Sequence, residues 1–132
     1  MKEKLRGPKV EEVSVAVIQE QGDDGEPVFN VYLINHKTVA LEQTLVTSTG
    51  YSTDRDVKTS TLRRLLGNVE PKSSILIEPI IKEVFGLNNE YWVSFWIKNR
   101  LYDKKFIFLP ESIDPKNYVI VPIILKKGVI IG

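Results

Sequence analysis

The one histidine of this 132-residue chain, His36, is the only side chain whose ordinary titration range lies near neutral pH, so it is the first candidate for chemistry. A nucleophile would need a base within hydrogen-bond reach and a carboxylate to orient that base. Ser48, Ser52 and Ser60 supply hydroxyls, but nothing in their spacing pairs one with His36, and no Gly-x-Ser-x-Gly turn is present. A small hydrolase using His36 is therefore only an alternative reading; a polar histidine at a strand end is the simpler one. A zinc site needs three or four His, Cys or carboxylate ligands, and one histidine with no cysteine falls short. Asp23-Asp24 and Asp54-x-Asp56 are oxygen donors without the spacing of a calcium loop. Gly22 and Gly25 flank acids, which would repel a phosphate. The expectation is no enzyme, no cofactor and no metal.

Contact chemistry is better represented. In Glu90-Tyr91-Trp92-Val93-Ser94-Phe95-Trp96-Ile97, period-two alternation puts Tyr91, Val93, Phe95 and Ile97 on one face and Trp92, Ser94 and Trp96 on the other. The first set is a core face. The second admits two readings: indoles packed under a loop or the terminal tail, which is the usual fate of tryptophan, or a solvent-facing aromatic strip. Arg63 closes a run of hydroxyls, Thr59-Ser60-Thr61, with no evident packing role. Tyr51, Arg63, Trp92 and Trp96 are the candidate binding residues. Arg63-Arg64, Lys98 with Arg100, and Lys104-Lys105 would join them in a stacking-plus-charge surface for single-stranded nucleic acid if their strands were neighbours.

The elements that must carry these residues read as short strands. Val13, Val15 and Val17 alternate with Ser14 and Ala16; Gly22 to Pro27 is turn chemistry; 28–35 and 43–49 are strands, the second rich in β-branched residues. Residues 59–66 fit a strand better than a short helix capped by Ser60 and ended by Gly67. A strand at 74–78 ends at Pro79 or lies at an edge, and 80–87 is a connector with at most one helical turn. The aromatic run and 104–109 make a hairpin with a polar tip, 98–103, longer than the two-residue type. A last strand, 118–124, contains Pro122 and so reads as an edge; Val129-Ile130-Ile131 is an apolar tail. Seven to eight short strands without a crossover helix argue an all-β, antiparallel, immunoglobulin-like β-sandwich with no disulfide. The domains are a flexible arm, 1–10, and one sandwich, 11–132.

Composition narrows the classes. Eighteen basic and seventeen acidic residues leave a net charge of +1, too little field to draw in nucleic acid, membrane or acidic ligands. The charged N-terminus has no signal-peptide core and no run is long enough to span a membrane, so the cytoplasm is expected. A non-catalytic module that contacts itself or another protein is the leading expectation, with a homodimer its simplest form.

Taken together, Asn30-Val31-Tyr32-Leu33-Ile34-Asn35, Leu45-Val46-Thr47-Ser48-Thr49-Gly50-Tyr51, Lys58-Thr59-Ser60-Thr61-Leu62-Arg63, Asn89-Glu90-Tyr91-Trp92-Val93-Ser94-Phe95 and Lys104-Lys105-Phe106-Ile107-Phe108 resemble a family of short bacterial proteins often labelled phenylalanyl-tRNA synthetase alpha subunit. The resemblance runs from about Val13 to Val129 and implies a tRNA-associated role. It implies no catalytic residues. A synthetase domain would need long helices around its sheet and arginines in dedicated motifs, which Leu62-Arg63-Arg64-Leu65 does not supply, so the label is taken as a name rather than an activity.

Overall fold

Apolar side chains at alternate positions close two sheets on each other in this chain. The computed structural model describes residues 9–54 and 56–132. Its strands are β1 (Val13–Gln21), β2 (Pro27–Asn35), β3 (Leu41–Tyr51), β4 (Leu62–Val69), β5 (Ser73–Ile80), β6 (Asn88–Ile97), β7 (Arg100–Phe108), β8 (Val119–Ile120) and β9 (Lys127–Ile131). They form a five-stranded sheet, β5-β2-β1-β9-β8, and a four-stranded sheet, β4-β3-β6-β7, with antiparallel pairing throughout. Among the described residues there is no α-helix, and no helix is long and apolar enough to cross a membrane.

The core between the sheets takes Val13, Val15 and Val17 from β1, Phe29, Val31 and Leu33 from β2, and Tyr91, Val93 and Phe95 from β6, as alternation requires. Phe95 stacks on Tyr102 at 5.4 Å between centroids, and Tyr91 meets Phe108 edge to face at 6.2 Å. Asn35, fully buried, ties the crossovers together: its Nδ2 donates to the carbonyls of Val39 (2.9 Å), Val69 (3.2 Å) and Glu70 (3.0 Å), and its Oδ1 accepts from Lys37 N (2.9 Å).

A second, smaller core lies on the outside of the five-stranded sheet. Ala16, Ile18 and Ile34 point away from the main core yet are fully buried, because the chain after β8 folds back over them with Val121, Ile123 and Ile124. The return is sharp. Pro122 offers no N–H to a ladder, Ile123 and Leu125 take left-handed backbone angles (φ 71° and 61°), and Leu125 N bonds Val121 O at 2.7 Å. The strand expected over 118–124 is thus only Val119–Ile120. It is an edge, as Pro122 suggested.

Two other readings are corrected, that of the apolar tail and that of the hairpin loop. The expected apolar tail is β9, paired to β1, which makes nine strands among the described residues where seven to eight were expected. Gly128 permits that pairing, since a Cβ there would sit 2.2 Å from the Val17 carbonyl oxygen. The aromatic hairpin has a two-residue turn, not a longer loop: Ile97 pairs with Arg100, and Lys98 and Asn99 both take positive φ (49° and 64°). That backbone matches the twist of the flanking strands, so residues 100–103 join β7. The strand expected over 59–66 is present at 62–69, and Gly67 (φ 74°), a helix stop on the alternative reading, marks a bulge against Thr44 and Leu45. Pro79 lies in β5, an edge strand, and the connector after it holds one 3₁₀ turn, Lys82–Val84. Of the expected arm, 1–8 lies outside the described residues, and Val10 is buried in the main core.

Candidate functional site

The outer face of the four-stranded sheet holds all four candidate binding residues. Thr47 on β3 has Arg63 as its cross-strand partner on one side and Trp92 on the other, and Trp92 in turn faces Lys105 on β7. Directly opposed residues share a face, so Arg63, Thr47, Trp92 and Lys105 make one row across the sheet. The next row is Leu65, Leu45, Ser94 and Asp103; beyond it Trp96 sits opposite Leu101. In the other direction lie Thr49, Glu90 and Ile107, and then Tyr51 at the end of β3. At about 3.3 Å per residue, Trp92 and Trp96 are about 13 Å apart along β6.

Among the described residues, no segment packs over this face to bury the indoles. Trp92 is 44% exposed and Trp96 38%, with Leu65 at 76% beside them. The reading that these indoles pack under a loop or the terminal tail is therefore corrected: the C-terminal return covers the other sheet. Lys105 Nζ stands 4.7 Å from the Trp92 ring centroid, a cation–π contact worth about 0.5–1 kcal/mol at an exposed site. Tyr51 OH donates to Glu90 Oε1 at 3.4 Å at the edge of a shallow hollow lined also by Thr49, Lys58 and Lys105.

The basic pairs do not cluster. Arg63 and Lys105 share the outer face, but Arg64 turns to Glu78 at the sheet margin and Lys104 lies over the Phe106 ring. Glu90 and Asp103 stand on the same face as Arg63 and Lys105, so its charge is mixed. The hydroxyl run before Arg63 has a structural role after all. Thr59 Oγ1 accepts from Gly50 N at 2.8 Å, and Thr61 Oγ1 lies 3.0 Å from Thr49 Oγ1, which fastens this segment to β3.

His36 lies elsewhere, beyond the end of β2. Its Nε2 is 2.9 Å from Ser14 Oγ, but Ser14 is 1% exposed and its hydroxyl already donates to Gly132 O at 2.8 Å. The imidazole must then donate to Ser14, so it holds the proton a base would have to take. Burial and the Lys72 charge lower the His36 pKa, with Glu12 opposing. Asp54 Oδ1 accepts from Ser52 Oγ (2.7 Å) and Asp56 N (3.2 Å) in a local turn, and no cluster of three or more potential metal ligands exists among the described residues.

Sequence reasoning missed two polar sites. On the outside of the five-stranded sheet, Glu20 Oε1 accepts from Asn30 Nδ2 and Tyr32 OH, each at 2.7 Å, and Oε2 pairs with Lys126. Burial works to raise the Glu20 pKa, but the donors Lys126, Asn30 and Tyr32 outweigh it and hold the carboxyl below its ordinary value. Burial and Glu20 push the Tyr32 phenol up to about 12. The second site is Glu78, which meets Ser48, Tyr91 and Arg64 between the sheet margins. Strict alternation from Ile75 would turn Glu78 outward; a bulge opposite Val31 and Tyr32 turns it in, and no glycine announces that bulge. No family model matches this chain, and neither a curated protein nor a solved structure does.

Proposed function

We propose that this chain is a non-catalytic interaction module and that its partner is a second copy of itself, docked through the outer face of the four-stranded sheet. The observation that carries the reading is the exposed indole pair, Trp92 and Trp96, on a sheet face that none of the described residues covers. Aromatic anchors amid a polar rim are what protein interfaces concentrate. The charge pattern favours a copy of the same face over a polyanion. Arg63 and Lys105 alternate with Glu90 and Asp103 in neighbouring rows, so a twofold-related face can set opposite signs together. Light scattering at micromolar concentration tests this. The wild type should have the mass of a dimer and Trp92→Ala/Trp96→Ala that of a monomer; a monomeric wild type overturns it.

Two finer points belong to the same proposal. The strand order supports an immunoglobulin-like arrangement, with β1-β2-β5 facing β4-β3-β6-β7 and β9 and β8 added beyond β1. A chain without cysteine suits the reducing cytoplasm. One row, Arg63-Thr47-Trp92-Lys105, favours a second reading: a stacking surface for single-stranded nucleic acid, in keeping with the tRNA-related family label. A filter-binding titration separates the two, because phosphate contacts must weaken steeply as salt rises.

A further inference from the structure

The Glu20 and Glu78 carboxylates are both largely shielded from water, and they are held differently. Glu20 receives its two neutral donors at 2.7 Å each and an ammonium besides. Glu78, whose side chain is 12% exposed, receives Ser48 Oγ at 3.1 Å, Tyr91 OH at 3.3 Å and Arg64 Nε at 3.4 Å. Charge-assisted hydrogen bonds normally close to roughly 2.5–2.9 Å. Every donor to Glu78 stands off, although a carboxylate has about four lone-pair positions to fill. Tyr91 and Ser48 are fixed by the core, at 2% and 6% exposed. Arg64 is not: it rises from an edge strand with nearly half its side chain in water.

The loosely held carboxylate lines a pocket of ≈ 400 Å³ between the margins of the two sheets. Its lining includes the hydroxyl residues Thr59 and Ser60 and the apolar residues Leu62, Ile80 and Ile81. That size lies within the usual range for small-ligand sites, roughly 300–1,000 Å³. An apolar lining beside a loosely held carboxylate suits a short aliphatic stem that ends in a cationic donor. We propose that this pocket binds a primary alkylammonium group, which bonds Glu78 and displaces Arg64. The group belongs either to a free amine or to a lysine side chain of a partner. The site is independent of the indole face.

The test is an amide NMR titration of the full chain with n-butylammonium chloride, with sodium butyrate and n-butanol as controls. Saturable shifts at Gly50, Thr59, Ser60 and Ile81 with butylammonium alone are expected. Equal shifts with either control, or none that saturate by about 50 mM, would overturn the proposal. Glu78→Gln should weaken binding about tenfold, the loss of a charge-assisted bond. That variant also alters contacts to Tyr91 and Ser48, so Arg64→Ala, on the exposed edge, is the second: removing the competing cation should tighten binding about threefold. Unchanged affinity in both variants would overturn the assignment. Nα-acetyl-lysine methylamide distinguishes the sources. Tighter binding than butylammonium assigns the pocket to a partner's lysine and weaker binding to a free amine; either supports an alkylammonium site.

Discussion

The two outer faces of this sandwich start from the same alternation and end differently. On the five-stranded sheet, Ala16, Ile18 and Ile34 face away from the main core but lie under Val121 and its neighbours, and Glu20 seals the rim with Lys126, Asn30 and Tyr32. On the four-stranded sheet, Trp92, Trp96, Leu65 and Leu101 face outward with no such cover among the described residues. The chain has one C-terminal return and uses it on the first face. Apolar area on the covered face stabilises the fold; apolar area on the open face is, on the proposed reading, the area a partner would cover.

The sharpest way to break that comparison is to remove equal chemistry from both faces. Ile34→Ala should cost about 2–5 kcal/mol in urea denaturation, since the site is fully buried and can only partly collapse. Gly128→Ala attacks the same cover from beneath: the new Cβ would meet the Val17 carbonyl, β9 would have to shift off β1, and a loss of about 1–3 kcal/mol is expected by the same assay.

The rim of the covered face is sharpened by pH. The folded Glu20 pKa lies below its ordinary value, so its contribution is fully present above about pH 4.5 and is lost as pH falls through the folded value. Glu20→Gln should cost about 1–2 kcal/mol at neutral pH, and the difference from wild type should shrink on acidification, followed by urea midpoints. His36 follows the same sign at a higher pH. Its depressed folded pKa means stability present above about pH 6.5 and lost below, and His36→Gln should remove that component of the profile. The smallest effect is expected on the open face, where Trp92→Ala should change the stability of the dissociated chain by no more than about 1 kcal/mol.

Much of this architecture was legible because one face of each central strand is uniformly apolar. Tyr91, Val93 and Phe95 announce their core face by alternation alone, and Phe29, Val31 and Leu33 do the same. What alternation does not carry is which outer face gets covered. Ala16 and Ile18 look like neighbours of solvent, Trp92 and Trp96 look like candidates for burial, and the fold reverses both. The decision rests on the turn after Pro122, where Ile123 and Leu125 adopt backbone angles that their side chains disfavour. The four candidate residues fall on one face because Tyr51, Arg63, Trp92 and Trp96 sit at matching strand parity. Glu78 was hidden because a bulge, not a motif, turns it inward.

The central claim is that the indole-bearing face is a contact surface, and acrylamide quenching of tryptophan fluorescence tests it most directly because Trp92 and Trp96 are the only two tryptophans. Quenching should be efficient in dilute solution and fall as the protein is concentrated into the range where its mass doubles. Quenching that stays the same across that range, or that is already weak for the dissociated chain, would contradict the account.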